Sequence, residues 1–345
     1  MEKRIRKLLK ITSQSESWYN LRMYDVIKNF PKQFAYEPKI ENADKFKPFH
    51  KFIVAGMGGS HLAADLVKAY LPQLDVIVHE DYGLPVLSDD ELNARLIIAS
   101  SYSGNTEEII DVFLTAGAKK LSAAAVSIGG KLLEHAKKVG APYIQLPNIG
   151  IQPRSAIGFS FMALLKLMGQ EAVLKEAKEL AHLHLLELED YEERGRKLAI
   201  KLKNFIPVIY SSNRNISLAY IWKIIFNETA KIPAFYNTFP ELNHNEMEGF
   251  AVEGAAKNLS KNFYFIFLKD KNDHPKIQKR MEILEKLYGK RKLPVEVLTL
   301  EGKNRLHKLF SSHMCAEWTG YYAAHEYVVS PEAVSMIEEF KRLIA

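Results

Sequence analysis

The chain has 345 residues, 47% of them apolar and 26% charged, which is the balance of a folded globular protein with room for two ordinary domains. Lys and Arg number 47 against 41 Asp and Glu, so the formal net charge is +6. These basic residues are dispersed among acidic neighbours, which argues against a nucleic-acid-binding or membrane-binding patch.

The first part of the chain predicts a parallel sheet. Residues 1–40 form a polar, amphipathic segment that we expect to be helical and to end at Pro31 and Pro38. Short apolar runs then alternate with helical patterns, which is typical of strands joined by crossover helices. The predicted strands are Lys51–Ala55, Asp75–His79, Arg95–Ser100, Ala123–Ile128 and Tyr143–Leu146, and the predicted helices are His61–Leu71, Glu107–Gly117 and Lys131–Val139.

The second part repeats this rhythm after a helical stretch. From Pro153 to about Lys203 the chain is rich in Leu, Ala, Glu and Lys, which predicts helices that join two domains. A strand, a polar loop and a helix follow, and then two further strands. These elements are Phe205–Tyr210, Ser211–Asn215, a helix through Ala230, Asn262–Leu268 and Pro294–Leu298. The predicted organisation is an N-terminal helical segment (1–40), an α/β domain (41–155), connecting helices (156–200) and a second α/β domain with a C-terminal helix (201–345).

The loop Gly56–Ser60 (GMGGS) joins the first predicted strand to a helix. Glycines let the backbone approach a ligand closely, and free N–H groups at a helix start favour an anion. The loop matches the first two glycines of the dinucleotide motif G-x-G-x-x-G, but His61 occupies the third position, which weighs against a dinucleotide. Glu80 and Asp81 stand where ribose acceptors would, and a plain tight turn is the remaining alternative.

A second donor-rich loop, Ser101–Glu107 (SYSGNTE), follows the third predicted strand. Its hydroxyls and glycine stand at a helix start, where Asn105 or Thr106 alone would suffice as an N-cap. Carboxyl ends of neighbouring parallel strands form a ligand crevice. No cluster of Lys or Arg accompanies the two loops, so a sugar monophosphate suits them better than a polyphosphate.

The two loops together resemble the sugar-isomerase (SIS) domain. Three later segments resemble the bifunctional phosphoglucose/phosphomannose isomerase family, and the resemblance spans nearly the whole chain: Gly150–Ser155 (GIQPRS), Asn227–Lys231 (NETAK) and Pro240–Gly249 (PELNHNEMEG). The resemblance implies an α/β fold of two SIS domains, each a doubly wound parallel sheet flanked by helices. It also implies a homodimer whose active sites are shared between domains and subunits.

Site residues are carried over from this resemblance. Those expected to bind the sugar phosphate are Gly59, Ser60, Ser101, Ser103, Thr106 and Arg154. Glu228 is the expected base, and His244 the expected ring-opening group, reaching the site of the other subunit. Lys341 matches the family's C-terminal catalytic lysine, and Arg154 is expected beside the developing negative charge.

The residue types carried over by the resemblance match the chemical steps of aldose-ketose isomerisation. The anchored phosphate orients the sugar, and a histidine near neutrality can open the ring. A carboxylate then moves a proton between C2 and C1, while a fixed arginine charge stabilises the cis-enediol(ate). The predicted function is therefore conversion of glucose 6-phosphate, and of mannose 6-phosphate, to fructose 6-phosphate. Without the motifs, Glu228 would be assigned to an ion pair with Lys231, and His244 to a polar turn.

No metal or other cofactor is expected. His182 and His184 share a predicted helix at a spacing that points them in different directions, and the sequence has no HExxH motif. Cys315 is the single cysteine, so no intrachain disulfide can form. The longest apolar run, Ile157–Met168, is shorter than the roughly 20 residues that span a bilayer, and we expect a cytoplasmic protein without a membrane segment.

Two alternatives stay open. One is an isomerase for another sugar phosphate, and the other is a non-catalytic SIS-type regulatory protein that binds a sugar phosphate. In a regulatory protein, Glu228 together with His244 would be superfluous. The expected partners are a small-molecule sugar phosphate and a second copy of the chain.

Overall fold

The computed structural model describes residues 22–183 and 185–344, without the side chains of residues 185 and 186. They divide into two compact units. We name residues 29–183 the first unit, and residues 22–28 with residues 185–344 the second unit.

The first unit is built on a parallel sheet in the order β2-β1-β3-β4-β5. Its strands are β1 (Lys51–Ala55), β2 (Asp75–His79), β3 (Leu96–Ser100), β4 (Ala123–Ser127) and β5 (Tyr143–Gln145). The central strands are buried almost throughout, because helices cover both faces, and this explains their unbroken apolar runs. The strand order reverses between β1 and β3, so the loops after these two strands frame a crevice at the switch point.

Helices follow the strands of the first unit and cover the sheet. They are α1 (Leu62–Tyr70), α2 (Asp89–Asn93), α3 (Glu107–Ala118), α4 (Gly130–Val139), α5 (Ile157–Leu167) and α6 (Glu171–Lys178). Helix α5 is buried on nearly all sides. The side chain of Gln33 fixes the start of α5 with two hydrogen bonds. The Gln33 Nε2 donates to the carbonyl oxygen of Ser155 (2.7 Å), and the Gln33 Oε1 accepts from the N–H of Phe159 (3.2 Å).

The second unit is built on a parallel sheet in the order β7-β6-β8-β9. Its strands are β6 (Ile206–Ser212), β7 (Phe235–Phe239), β8 (Phe263–Lys269) and β9 (Val295–Thr299). Its helices are α7 (Leu185–Lys201), α8 (Ile216–Ile225), α9 (Pro275–Lys290), α10 (Arg305–Glu326) and α11 (Ser335–Ile344). Packing of α10 on α7 is close, because a Cβ atom on Gly195 would lie 2.5 Å from the Cβ atom of Trp318.

The alternation of strands and helices predicted from the sequence is confirmed, with two differences. Strand β7 is missing from the prediction, because its sequence FYNTF contains two polar residues and the strand lies at an edge of the sheet. The helix predicted to reach Ala230 leaves α-helical geometry after Ile225. Residues 1–21 of the predicted N-terminal helix lie outside the described residues, and residues 22–28 are helical.

Across the described ranges, no helix combines the length and the apolar composition needed to cross a membrane.

Candidate active site

Gly59 brings two loops of the first unit into direct contact. A Cβ atom on this residue would lie 2.6 Å from the main-chain nitrogen of Arg154 and 2.9 Å from the carbonyl carbon of Pro153. Only a glycine fits there, because Cβ atoms do not approach backbone this closely. Arg154 is 1% exposed, so its side chain is buried, and its main chain lies against the loop Gly56–Ser60.

Ser60 links the loops that follow β1 and β3. Its hydroxyl oxygen accepts a hydrogen bond from the main-chain N–H of Tyr102 (3.1 Å). Its carbonyl oxygen accepts another from the Ser100 hydroxyl (3.1 Å). The two donor-rich loops predicted from the sequence are therefore neighbours at the switch point of the sheet.

The second loop places its hydroxyls around the N-terminus of α3. The hydroxyls of Ser101 and Thr106 share a hydrogen bond of 2.8 Å, and the Ser101 oxygen also accepts from the N–H of Gly104 (3.1 Å). Ser103 is exposed, and its hydroxyl accepts from the N–H of Asn105 (3.3 Å). Hydroxyls and main-chain N–H groups at a helix start form a suitable cradle for a phosphate.

The start of α4 supports this loop through contacts that the sequence alone does not predict. Gly104 has φ +73°, and a Cβ atom there would lie 1.8 Å from the carbonyl oxygen of Gly129. The Asn105 side-chain oxygen accepts from the N–H of Lys131 (3.2 Å), and the Gly104 carbonyl accepts from the N–H of Leu132 (2.9 Å). Gly129 and Gly130, which follow β4, are the sequence feature that could have indicated a close approach of the two loops.

His61, in the third position of the incomplete dinucleotide motif, is buried beneath the first loop. Its Nδ1 lies 2.8 Å from Oδ2 of Asp65, and its Nε2 lies 3.3 Å from Oε2 of Glu80. Glu80 is thus engaged with the histidine. This arrangement adds to the sequence evidence against a dinucleotide.

Glu228 lies in an irregular turn of the second unit. Helix α8 continues into a π-helical turn over Phe226–Ala230, which ends at Lys231 with φ +59°. The Lys231 ammonium donates to the Glu228 carbonyl oxygen, and the N–H of Ile232 donates to the carbonyl oxygen of Phe226 (3.2 Å). The Glu228 side chain is half-buried and lines a cavity of about 700 Å³.

Helix α10 supports this turn from behind. A Cβ atom on Gly320 would lie 2.5 Å from Cγ2 of Ile225 and 3.4 Å from Cβ of Thr229. The glycine therefore lets α10 pack directly against the turn that carries Glu228. Gly320 has no motif around it in the sequence that predicts this contact.

His244 is exposed at the end of a short 3-10 turn, Glu241–His244. The segment is anchored on each side of the histidine. Leu242 is fully buried, and Glu246 accepts hydrogen bonds from the Tyr210 hydroxyl (2.5 Å) and the Asn237 side-chain nitrogen. Burial raises the pKa of Tyr210 well above its usual value, and the neighbouring Tyr288 and Glu246 raise it further. Tyr210 therefore donates its hydrogen bond as a neutral phenol. Neither Tyr210 nor Glu246 could be recognised from the sequence as a support of His244, because strand β6 and the turn meet only in the folded chain.

Lys341 is exposed on α11. Three residues of this helix, Ser335, Met336 and Ile337, line the cavity beside Glu228, whereas Lys341 is not among its lining residues. A role for Lys341 stays a prediction.

The first unit thus brings Gly59, Ser60, Ser101, Ser103, Thr106 and Arg154 to one end of its sheet. Glu228, His244 and Lys341 lie on three separate segments of the second unit. Within the part of the chain that the structure describes, no group of three or more His, Cys, Asp or Glu side chains is arranged to hold a metal ion.

Comparison with known proteins identifies the class and the family. The fold is similar to that of glucosamine-6-phosphate deaminase from Thermotoga maritima, with a TM-score of 0.66 and 15% identity over 91% of this chain and 96% of that chain. Residues 191–344 match the family model "Bacterial phospho-glucose isomerase C-terminal SIS domain". Together with the two parallel sheets, these matches define a sugar-isomerase-type α/β protein.

Two relatives give the family. The bifunctional phosphoglucose/phosphomannose isomerase of Caldicellulosiruptor bescii is 33% identical over 342 residues, which cover 94% of this chain and 99% of that protein. The Aquifex aeolicus protein of the same name is 31% identical over 326 residues, which cover 92% and 97%. The chain belongs to the bifunctional phosphoglucose/phosphomannose isomerase family.

Proposed function

We propose that the protein interconverts aldose and ketose hexose 6-phosphates, accepting both glucose 6-phosphate and mannose 6-phosphate and yielding fructose 6-phosphate. Family membership supports this reaction. The single observation that carries it is the cradle at the β1/β3 switch point, where Gly59 permits backbone contact with the buried Arg154.

The first unit binds the phosphate in this proposal. N–H groups and hydroxyls of the loops after β1 and β3 donate hydrogen bonds to the phosphate oxygens, with Ser60, Ser101, Ser103 and Thr106 as the hydroxyl donors. Because these loops are bonded to each other, the cradle is formed before the substrate arrives, and little conformational entropy is lost on binding. The anchored phosphate then orients the reacting carbons.

Ring opening and proton transfer use three further groups. His244 donates a proton to the ring oxygen, the C1 hydroxyl releases its proton to solvent, and His244 is reprotonated from solvent, which gives the open-chain aldose. Glu228 removes the proton from C2 and returns it to C1, so the carboxylate is regenerated after each turnover. In the same conversion O1 takes up a proton from solvent and the O2 hydroxyl releases one, which leaves the carbonyl group at C2. The Arg154 guanidinium stabilises the negative charge on the cis-enediolate oxygens, because it stays protonated throughout.

The protein acts as a homodimer in which His244 serves the substrate of the partner subunit. The similarity of PELNHNEMEG to the family's segment supports this part of the proposal. The exposure of His244 is compatible with it, since an exposed imidazole is available to another chain.

A coupled assay with both aldose phosphates tests the proposal. We expect wild type to produce fructose 6-phosphate from each, and Glu228→Gln to lower kcat by about 10²–10⁴-fold, because general acid-base catalysis typically contributes that much. Glu285→Gln, which removes an exposed carboxylate from α9, is the matched control and should keep wild-type kcat. Fructose 6-phosphate binding without turnover by the wild type would instead indicate a regulatory protein.

A further inference from the structure

The second unit repeats the strand order of the first, so it has a switch point of its own. The order β7-β6-β8-β9 corresponds to β2-β1-β3-β4, and all the pairings are parallel. The order reverses between β6 and β8, where a crevice is expected at the carboxyl ends of the strands. Asp270 is the first residue after β8, just as Ser101 is the first residue after β3.

Three cationic side chains converge on Asp270 at this point. The Lys308 ammonium donates to its Oδ1 (2.5 Å), and Nη1 of Arg305 donates to its Oδ2 (3.1 Å). Nη1 of Arg214 lies 3.7 Å from the same Oδ2. Lys308 and Arg305 stand in the first turn of α10, the helix that follows β9, and Arg214 belongs to the loop after β6.

Asp270 is fully buried and ionised within this cluster. Burial raises its pKa, but hydrogen bonds from Lys308 and from the N–H of Asn272 (3.0 Å), with the charges of Lys308 and Arg305, outweigh burial and hold the pKa below its ordinary value. An ammonium, a guanidinium and a main-chain N–H around one carboxylate form the donor set that a phosphate group would use.

The two loops of this crevice are also bonded to each other, as they are in the first unit. The Ser212 hydroxyl, at the end of β6, donates to Oδ1 of Asp273 (2.7 Å), in the loop after β8. The Asn215 side-chain nitrogen donates to the same oxygen (3.2 Å), and its side-chain oxygen accepts from Nη1 of Arg305 (2.6 Å). Asn272 holds the other two cations, since its side-chain oxygen accepts from Lys308 (2.7 Å) and its carbonyl oxygen accepts from Nη1 of Arg214 (3.1 Å). Each cation thus has a contact that does not involve Asp270.

We propose that the switch point of the second unit is a latent anion site, in which the Asp270 carboxylate occupies the place of a phosphate group. In the wild-type chain, this carboxylate closes the site to external anions. Once the carboxylate is removed, the site binds inorganic phosphate or a phosphate monoester. This inference rests on the charged cluster and the strand order alone and does not depend on the proposed isomerase activity.

The test is a gain of phosphate binding. Asp270→Ala and Asp270→Ser, the second of which imitates Ser101, are titrated with inorganic phosphate by calorimetry alongside wild type. We expect one more phosphate bound per chain than in wild type, and a Tm rise of about 2–4 °C beyond the wild-type rise when phosphate exceeds Kd several-fold. Adding Lys308→Met to Asp270→Ala should abolish the extra phosphate.

Asp75→Ala is the control for the change in net charge. It removes a carboxylate that pairs with the buried Arg95 in the first unit (2.6 Å), but Glu91 still contacts that arginine (2.9 Å), so no extra phosphate should bind. Wild-type stoichiometry in the folded Asp270 variants would overturn the proposal. The proposal would also be wrong if wild type binds a phosphate that Lys308→Met no longer binds, because the site would then be open in wild type. If Asp270→Ala folds only in phosphate buffer, that rescue supports the proposal; if saturating phosphate does not restore folding of either Asp270 variant, it is wrong.

Discussion

The main-chain nitrogen of Arg154 lies 2.6 Å from the position that a Cβ atom on Gly59 would occupy. The loop after β1 and the turn before α5 are therefore in direct backbone contact at this point. Any side chain on Gly59 must push these segments apart, and with them the donors that we assign to the phosphate.

Gly59→Ala tests this contact. Overpacking typically costs about 1–3 kcal/mol, and the displaced N–H groups should raise KM for fructose 6-phosphate at least tenfold. Gly117→Ala is the control, because Gly117 is exposed in the last turn of α3 and a Cβ atom there meets nothing within 4 Å. This control should keep wild-type KM and gain up to about 1 kcal/mol of stability. An unchanged KM in Gly59→Ala would contradict the assigned cradle.

Tyr210 holds the segment that carries His244, and Tyr210→Phe removes that support. The loss of the hydrogen bond to Glu246 should lower the free energy of unfolding by about 1–3 kcal/mol and lower kcat, because His244 is displaced. Tyr264→Phe is a matched control on β8, since its hydroxyl donates to Glu296 (3.2 Å) instead. Equal kcat values for the two variants, measured with a cyclic aldose phosphate, would argue against a positioning role for Tyr210.

Sharing of His244 between subunits predicts complementation. Glu228→Gln and His244→Ala protomers are each expected to be inactive, but their heterodimer contains one site with both wild-type groups. With random assortment, half of the dimers are mixed and one of their two sites works, so we expect about a quarter of wild-type activity. Heterodimers demonstrated by a tag but lacking activity would rule out the sharing.

Buried His313 predicts a loss of stability in mild acid. Burial lowers its pKa to about 3, whereas the pKa of a histidine in an unfolded chain is about 6.5. Between these values the unfolded chain binds a proton that the native chain does not, so the free energy of unfolding falls as the pH drops.

The His313→Gln variant should lose about 1 kcal/mol less than wild type between pH 7.5 and 5.5. Urea unfolding at the two pH values measures this difference. His325, whose pKa burial lowers to about 4, contributes in both proteins, and His50→Gln is the control for removing an exposed histidine. Identical pH slopes in wild type and His313→Gln would contradict the assignment.

Local patterns predict every described strand except β7, because a parallel sheet covered on both faces needs unbroken apolar runs. They also predict the two donor-rich loops that follow β1 and β3. The Gly59–Arg154 contact, the Tyr210–Glu246 hydrogen bond and the approach of Gly320 to α8 could not be predicted in this way. Each joins segments far apart in the sequence, so tertiary packing determines it. The motifs name Glu228 and His244, but the neighbours that hold them become visible only in the folded chain.

The π-helical turn at Phe226–Ala230 holds one residue more than an α-helical turn of the same rise. Deleting a single residue from this turn would let α8 continue regularly and would rotate Glu228 by roughly 100° about the helix axis. The same deletion would shorten the path to β7 by one residue. Such a deletion would therefore misdirect the carboxylate while leaving Glu228 itself in the sequence.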